Sequence, residues 1–322
     1  MGVSTILEHQ YRRTLRWYPS SWRAQHEEAV IGTLLDVAEG ENRSRPRLGE
    51  QLNLAANGLL TRIGIFLPAR VRDGVAAVAL ATGTAFATGY FVFLDWAPWT
   101  AATRVAEFPM AHDFGPFINP GVILCALWGL GFLFAVFGRY QITRIIMAIA
   151  ILTAVAMAVV NQLPFAGWVG PSSTNLGFLG LLAALSLVGT PRSRVRLGVG
   201  TGVALAVLVA IYHHDGSFSP YYSGDHFFFW LMDTRINLDL LLVPTFLVAI
   251  GFGLAGRGAT AAVIAISTLP WAAAYLVVLA VSDHGRAIVC AVWLIAGLVA
   301  VTIVVLKRSR FEIVIRRRDD SR

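Results

Sequence analysis

Charge is the scarcest resource in this chain. Only 14% of its 322 residues are Asp, Glu, Lys or Arg, while 56% are hydrophobic. A typical soluble domain carries about 25% charged residues. Cysteine is nearly absent, with two in the whole sequence, Cys125 and Cys290, both inside apolar runs. That excludes a disulfide framework and a CxxC redox or metal site, and leaves both as small packing residues. The first 20 residues hold His9, Arg12, Arg13 and Arg16 without an apolar core run, so no cleavable signal peptide is read there. There is no phosphate-binding glycine loop, dinucleotide fingerprint or kinase motif set.

What is present is apolar sequence in long runs. Several reach about 20 residues, enough to cross a hydrocarbon layer of about 30 Å. Eight spans are expected, near 74–94, 118–137, 145–163, 176–188, 197–212, 238–254, 261–281 and 287–306, with seven as the competing count. Arginine and lysine collect on alternate turns: Arg139 with Arg144, then Arg192, Arg194 and Arg196, then Arg257, then Lys307, Arg308 and Arg310. The opposite loops hold only Arg104, Arg235 and Arg286. By the positive-inside rule both termini are then cytoplasmic, and the chain is a multi-pass protein of the cell inner (cytoplasmic) membrane. The expected fold is all-α: about eight transmembrane helices behind a small N-terminal cytoplasmic helical module. Its divisions are residues 1–66, 67–306 and a basic tail, 307–322. The net charge of +7 is divided between two unlike faces and is not read as nucleic-acid binding. Membrane lipids are the expected partners of the tail.

No expected span has an ionisable residue near its middle, which argues against proton coupling. Pro244 and Pro270 are expected to kink their helices. The expected outer loops combine histidine with acid: His112, then His213, His214 and Asp215, then Asp225 and His226, then Asp283 and His284. Imidazole and carboxylate suit zinc, so these residues form a candidate metal site if separate loops converge. The alternatives are an acid–base pair of an extracytoplasmic enzyme, or scattered loop residues. The same loops are rich in aromatics, including Trp96, Trp99, Tyr221, Tyr222, Phe228 and Trp230. They are expected to lie at the membrane interface or to form a lid over an apolar ligand.

The N-terminal stretch has a different grammar. Thr5 and Glu8 suit a capping box, and Leu7, Tyr11, Leu15 and Tyr18 recur at near-helical spacing. Pro19 closes that helix, and Ser20 or Ser21 is expected to cap the next. The second helix is expected to bury Trp22, His26, Val30, Leu34 and Val37. A third is expected to turn Leu48, Leu52, Ala55, Leu59, Ile63 and Phe66 to one face. Tyr18 and Trp22 bracket Pro19, and Arg23 is one helical turn from Glu27. Tyr18, Pro19, Trp22, Arg23 and Glu28 therefore either lock the turn or meet a partner.

The residues Leu15, Tyr18, Pro19, Trp22, Arg23 and Glu28, with Gly58 through Arg62, resemble the permease-prefix, or HAAS-like, domain of actinobacterial integral membrane proteins. The resemblance covers about residues 7–65. It implies company with ABC-transporter components or PadR-like regulators, and it implies no catalytic residue. On this reading the chain is a non-enzymatic membrane component whose cytoplasmic module docks a partner in a transport or sensing system. The alternatives are a stand-alone permease for a lipid-like or small uncharged substrate, and an extracytoplasmic metal-dependent membrane enzyme.

Overall fold

The computed structural model describes residues 3–41, 43–92, 117, 119–163, 171–191, 193–214, 238–282 and 284–319. The fold is all-α. Eleven helices are present among the described residues: α1 (Val3–Leu15), α2 (Ser20–Gly40), α3 (Leu48–Phe66), α4 (Ala69–Tyr90), α5 (Gly121–Val136), α6 (Tyr140–Val160), α7 (Ser173–Leu187), α8 (Arg194–His214), α9 (Leu238–Leu254), α10 (Gly258–Ser282) and α11 (His284–Asp319). The chain divides into two compact units, Met1–Ala69 and Arg70–Arg322.

The first unit is a three-helix assembly. Leu7, Tyr11 and Leu15 sit on successive turns of α1, so one stripe faces inward. They join Tyr18, Ile31 and Ala38 in a small core, with Trp22, Leu34 and Leu54 packed against it. Four local expectations need correction. Helix α1 begins at Val3, so Thr5 lies inside it rather than at its cap. Pro19, rather than Ser20 or Ser21, occupies the N-cap of α2; its hydrocarbon ring has no acceptor to cap with, and its φ is fixed at −58°. The inward face of α2 is as expected at Trp22, Val30 and Leu34, which pack on the core beside buried Ile31 and Ala38, but His26 and Val37 are exposed, Val37 by 46%. On α3 the side chains of Leu59, Ile63 and Phe66 lie outside the described residues. Leu48 and Leu52 are 78% and 68% exposed, and Gly58 faces the core side instead.

The second unit packs α4 to α8 around Leu80, Phe86, Trp128, Met147, Phe178 and Leu182. A smaller cluster joins α9, α10 and α11 through Phe246, Ala249, Ala265 and Val301. Small residues allow the close approaches. A Cβ at Gly83 of α4 would overlap the ring of Trp128 on α5, and one at Gly131 would overlap Met147 of α6. Helices α5 and α9 end alike. Gly138 and Gly256 have φ of 77° and 79°, and the next residue's N–H reaches back to Phe134 and Phe252 at 2.8 Å. This is the left-handed glycine ending that turns a helix sharply into the next. Pro244 and Pro270 lie inside α9 and α10. Neither Cys125 nor Cys290 forms a disulfide among the described residues, and Cys290 is buried.

Helices stand near the eight expected places, but the eight-span membrane bundle is not what they make. Among the described residues only Tyr140–Val160 and Gly258–Val277 are long and apolar enough to cross a membrane. Length is the physical reason for several failures. At about 1.5 Å per residue, α5 and α7 run about 24 and 22 Å, short of a layer of about 30 Å. Within α9 and α11 the described apolar stretches are Val243–Leu254 and Ala287–Ile303. Helix α4 opens with Arg70, Arg72 and Asp73 and spends its apolar residues on internal packing. Two passing helices do so on length and composition alone, a test that buried core helices also pass. The readings that rested on eight spans fall with them: multi-pass inner-membrane location with both termini cytoplasmic, membrane lipids as partners, and a membrane component working with an ABC-transporter or PadR-like partner.

Candidate functional site

The turn that joins α1 to α2 is rigid for identifiable reasons. Tyr18 stacks on Trp22 with ring centroids 4.0 Å apart and planes 26° apart. Trp22 in turn meets His26 at 5.1 Å. Pro19 fixes one backbone angle between them, and its carbonyl accepts from the Arg23 N–H at 3.0 Å. Helix α3 closes the third side at Gly58. A Cβ there would come within 2.9 Å of Trp17 Cβ and Tyr18 Cδ2, so the position requires glycine. The Arg62 guanidinium donates to the Arg16 carbonyl at 2.7 Å beside it.

Two charge networks hold the helices in register. Arg12 of α1 meets Glu8 at 2.9 Å on its own helix and Glu28 of α2 at 2.9 and 3.1 Å. Hydrogen bonds to Glu28 and Glu8 raise the guanidinium's pKa further above its ordinary value. The second network is centred on Glu50 of α3. Its Oε2 accepts from Tyr11 Oη at 2.9 Å, from Arg43 Nη1 at 3.1 Å and from the Arg47 N–H at 3.4 Å. Arg43 also pairs with Glu41. Burial, then the Glu50 hydrogen bond, pushes the Tyr11 hydroxyl up to about 12. Burial would raise Glu50, but hydrogen bonds from Arg43 and Tyr11 outweigh it and hold the carboxyl below its ordinary value.

Beside this frame lies an open cavity of about 320 Å³, lined by Gln10, Arg13, Thr14, Trp17 and Gln51. Gln10, Arg13, Thr14 and Trp17 fall on neighbouring turns of α1 and the residues just after it. Gln51 comes from the start of α3. Thr14 Oγ1 is spent on the Gln10 carbonyl at 3.1 Å. Gln10 Oε1 is buried without a hydrogen-bond partner. Trp17 is 49% exposed, so its indole offers a flat apolar wall, and Arg13 is an exposed cation. The cavity thus combines an aromatic face, a positive charge, an unfilled acceptor and an amide.

Of the sequence-selected residues, Tyr18, Pro19 and Trp22 come together. Arg23 does not pair with Glu27: its Nε is buried without a hydrogen-bond partner, and Arg12 is the cation nearer Glu27, at 3.9 Å. Glu28 serves Arg12 and not the turn. His213 and His214 close α8 and His284 opens α11, but their side chains lie outside the described residues. So do His112, Asp215, Asp225, His226, Asp283 and the aromatics Trp96, Trp99, Tyr221, Tyr222, Phe228 and Trp230. Among the described residues no three metal-ligating side chains gather. Sequence reasoning passed over Gln10, Arg13, Trp17 and Gln51. Only the neighbouring aromatics Trp17 and Tyr18 ahead of Pro19 hinted that one ring packs while the other stays out.

No protein-family model matches the chain, and no curated protein or solved structure is similar to it. The resemblance of residues 7–65 to the permease-prefix domain is therefore corrected: the short run of Tyr18, Pro19, Trp22 and Arg23 does not identify a family.

Proposed function

We propose that the chain is a binding protein whose N-terminal unit recognises a short acidic peptide segment carrying an aromatic or large apolar neighbour. The observation that carries this is the cavity at Gln10, Arg13, Trp17 and Gln51, held beside a turn that three separate constraints keep rigid. Arg13 suits a carboxylate, in an exposed position where such a pair adds selectivity more than affinity. The Trp17 ring suits a second ring or a flat apolar group, worth about 0.5–1.5 kcal/mol beyond area burial. Gln10 Oε1 needs a donor, and a peptide N–H supplies one; leaving it unfilled costs about 1–3 kcal/mol. A rigid frame limits the entropy lost on binding.

The test uses the full chain and a pair of tetrapeptides, one of two aspartates and two phenylalanines, the other with lysines replacing the aspartates. The acidic peptide binds and the basic one does not. Trp17→Ala and Arg13→Gln each weaken binding while far-ultraviolet circular dichroism stays constant. Equal affinity for the two peptides, or undiminished binding by Trp17→Ala, contradicts the assignment.

A further inference from the structure

The second unit has a basic end that neither the core nor the N-terminal cavity explains. Two inter-helix turns meet there, the Gly138–Arg139 turn between α5 and α6 and the turn at Gly189–Thr190 between α7 and α8. Arginines cross between them. Arg144, one turn into α6, donates from Nη2 to the Gly189 carbonyl at 3.4 Å. Arg194, at the start of α8, places its Nη2 2.9 Å from where a Cβ of Gly138 would stand. The Arg72 carbonyl of α4 packs tightly against Gly189, which again requires glycine. Asp73, the acid beside Arg72, accepts from the Thr190 N–H at 2.9 Å and from its hydroxyl at 3.3 Å.

Two features of this end bear on its chemistry. The Nε atoms of Arg72 and Arg144 are both buried with no hydrogen-bond partner, as is that of Arg23 in the first unit, but here two such arginines flank the same turn at Gly189. Among the described residues no carboxylate forms an ion pair with Arg72, Arg144 or Arg194, whereas Arg12 and Arg43 of the first unit are paired. A guanidinium is charged at every physiological pH and presents five donors in a planar fork. Burying part of that fork without an acceptor is costly. Glycines at the tight points hold the backbone of both turns close to these side chains.

We propose that this end, where Arg72, Arg144 and Arg194 gather about the Gly138–Arg139 and Gly189–Thr190 turns, binds a phosphate-class oxyanion. Oxygen acceptors arranged around one centre answer several guanidinium donors at once, which a single chloride cannot do. The shared chemistry is a tetrahedral phosphate, whether free or at the end of a phosphomonoester.

Calorimetric titration of the full chain with inorganic phosphate, against chloride at matched ionic strength, tests it. Phosphate binds saturably and chloride does not. Arg144→Gln and Arg194→Gln each weaken phosphate by about tenfold, the cost of a charge-assisted hydrogen bond. Arg194 is exposed, so its replacement spares the fold even where Arg144→Gln does not. Arg144→Lys, which keeps charge but loses the fork, falls between. Arg257→Gln, removing an exposed arginine from the turn between α9 and α10, leaves affinity unchanged. Titration with glycerol phosphate then separates the sources: binding at least as tight as phosphate marks a phosphoester site, and much weaker binding marks a free-anion site. Equal responses to phosphate and chloride, wild-type affinity in Arg194→Gln, or equal weakening by Arg257→Gln would overturn the proposal.

Discussion

Single residues decide how firmly the N-terminal corner is held. Gly58→Ala places a methyl 2.9 Å from the Trp17 backbone carbon as well as the two side chains. The backbone must yield, so a loss of about 1–3 kcal/mol is expected by denaturant unfolding, together with a displaced Trp17. The Glu50 network sets a pH dependence with a definite sign. A carboxyl whose folded pKa is depressed adds stability above its unfolded value near 4.5, and this is lost as pH falls through the lower folded value. Tyr11 works at the other end. Its folded value of about 12 lies above the ordinary 10, so its stabilisation is complete below pH 10 and fades between about 10 and 12. Glu50→Gln should flatten the acid limb of the stability curve, and Tyr11→Phe the alkaline limb. An unchanged acid limb in Glu50→Gln would show that the network is not what titrates. None of this was readable beforehand, because Tyr11 and Glu50 are 39 positions apart and only the crossing of α1 with α3 joins them.

At the scale of the element, legibility follows range. The stripe Leu7, Tyr11, Leu15 was plain because one helical period generates it. The face of α2 was legible through Trp22, Val30 and Leu34, which pack on the core, but it was drawn too wide: His26 and Val37 are exposed, and the buried Ile31 and Ala38 were passed over. The length of an apolar run is likewise a poor guide to what a helix does with it. Helix α6 shows both uses on one element. Met147, Ala150 and Ala154 are buried against α5 and α7, while Ile145, Ile149, Leu152 and Val155 point outward. Met147→Ala should therefore cost about 2–5 kcal/mol. Leu152→Gln should change stability by less than about 0.5 kcal/mol, since Leu152 contributes nothing to the internal core. A loss at Leu152 comparable to that at Met147 would mean that the outward face of α6 is packed against something.

For the whole molecule, two compact units in one chain predict two kinds of recognition that fail independently. The aromatic, singly charged cavity belongs to Met1–Ala69 and the arginine end to Arg70–Arg322. An overall charge of +7 concealed this division, and hydropathy concealed it further by drawing attention to the apolar helices. The central claim concerns the first unit, and amide hydrogen exchange of the full chain with and without the acidic aromatic tetrapeptide tests it most directly. The predicted result is slowed exchange confined to the stretch from Gln10 to Trp17 and to the first turns of α3 around Gln51. Slowing that appears instead around Arg144, Gly189 and Arg194, or nowhere, would contradict it.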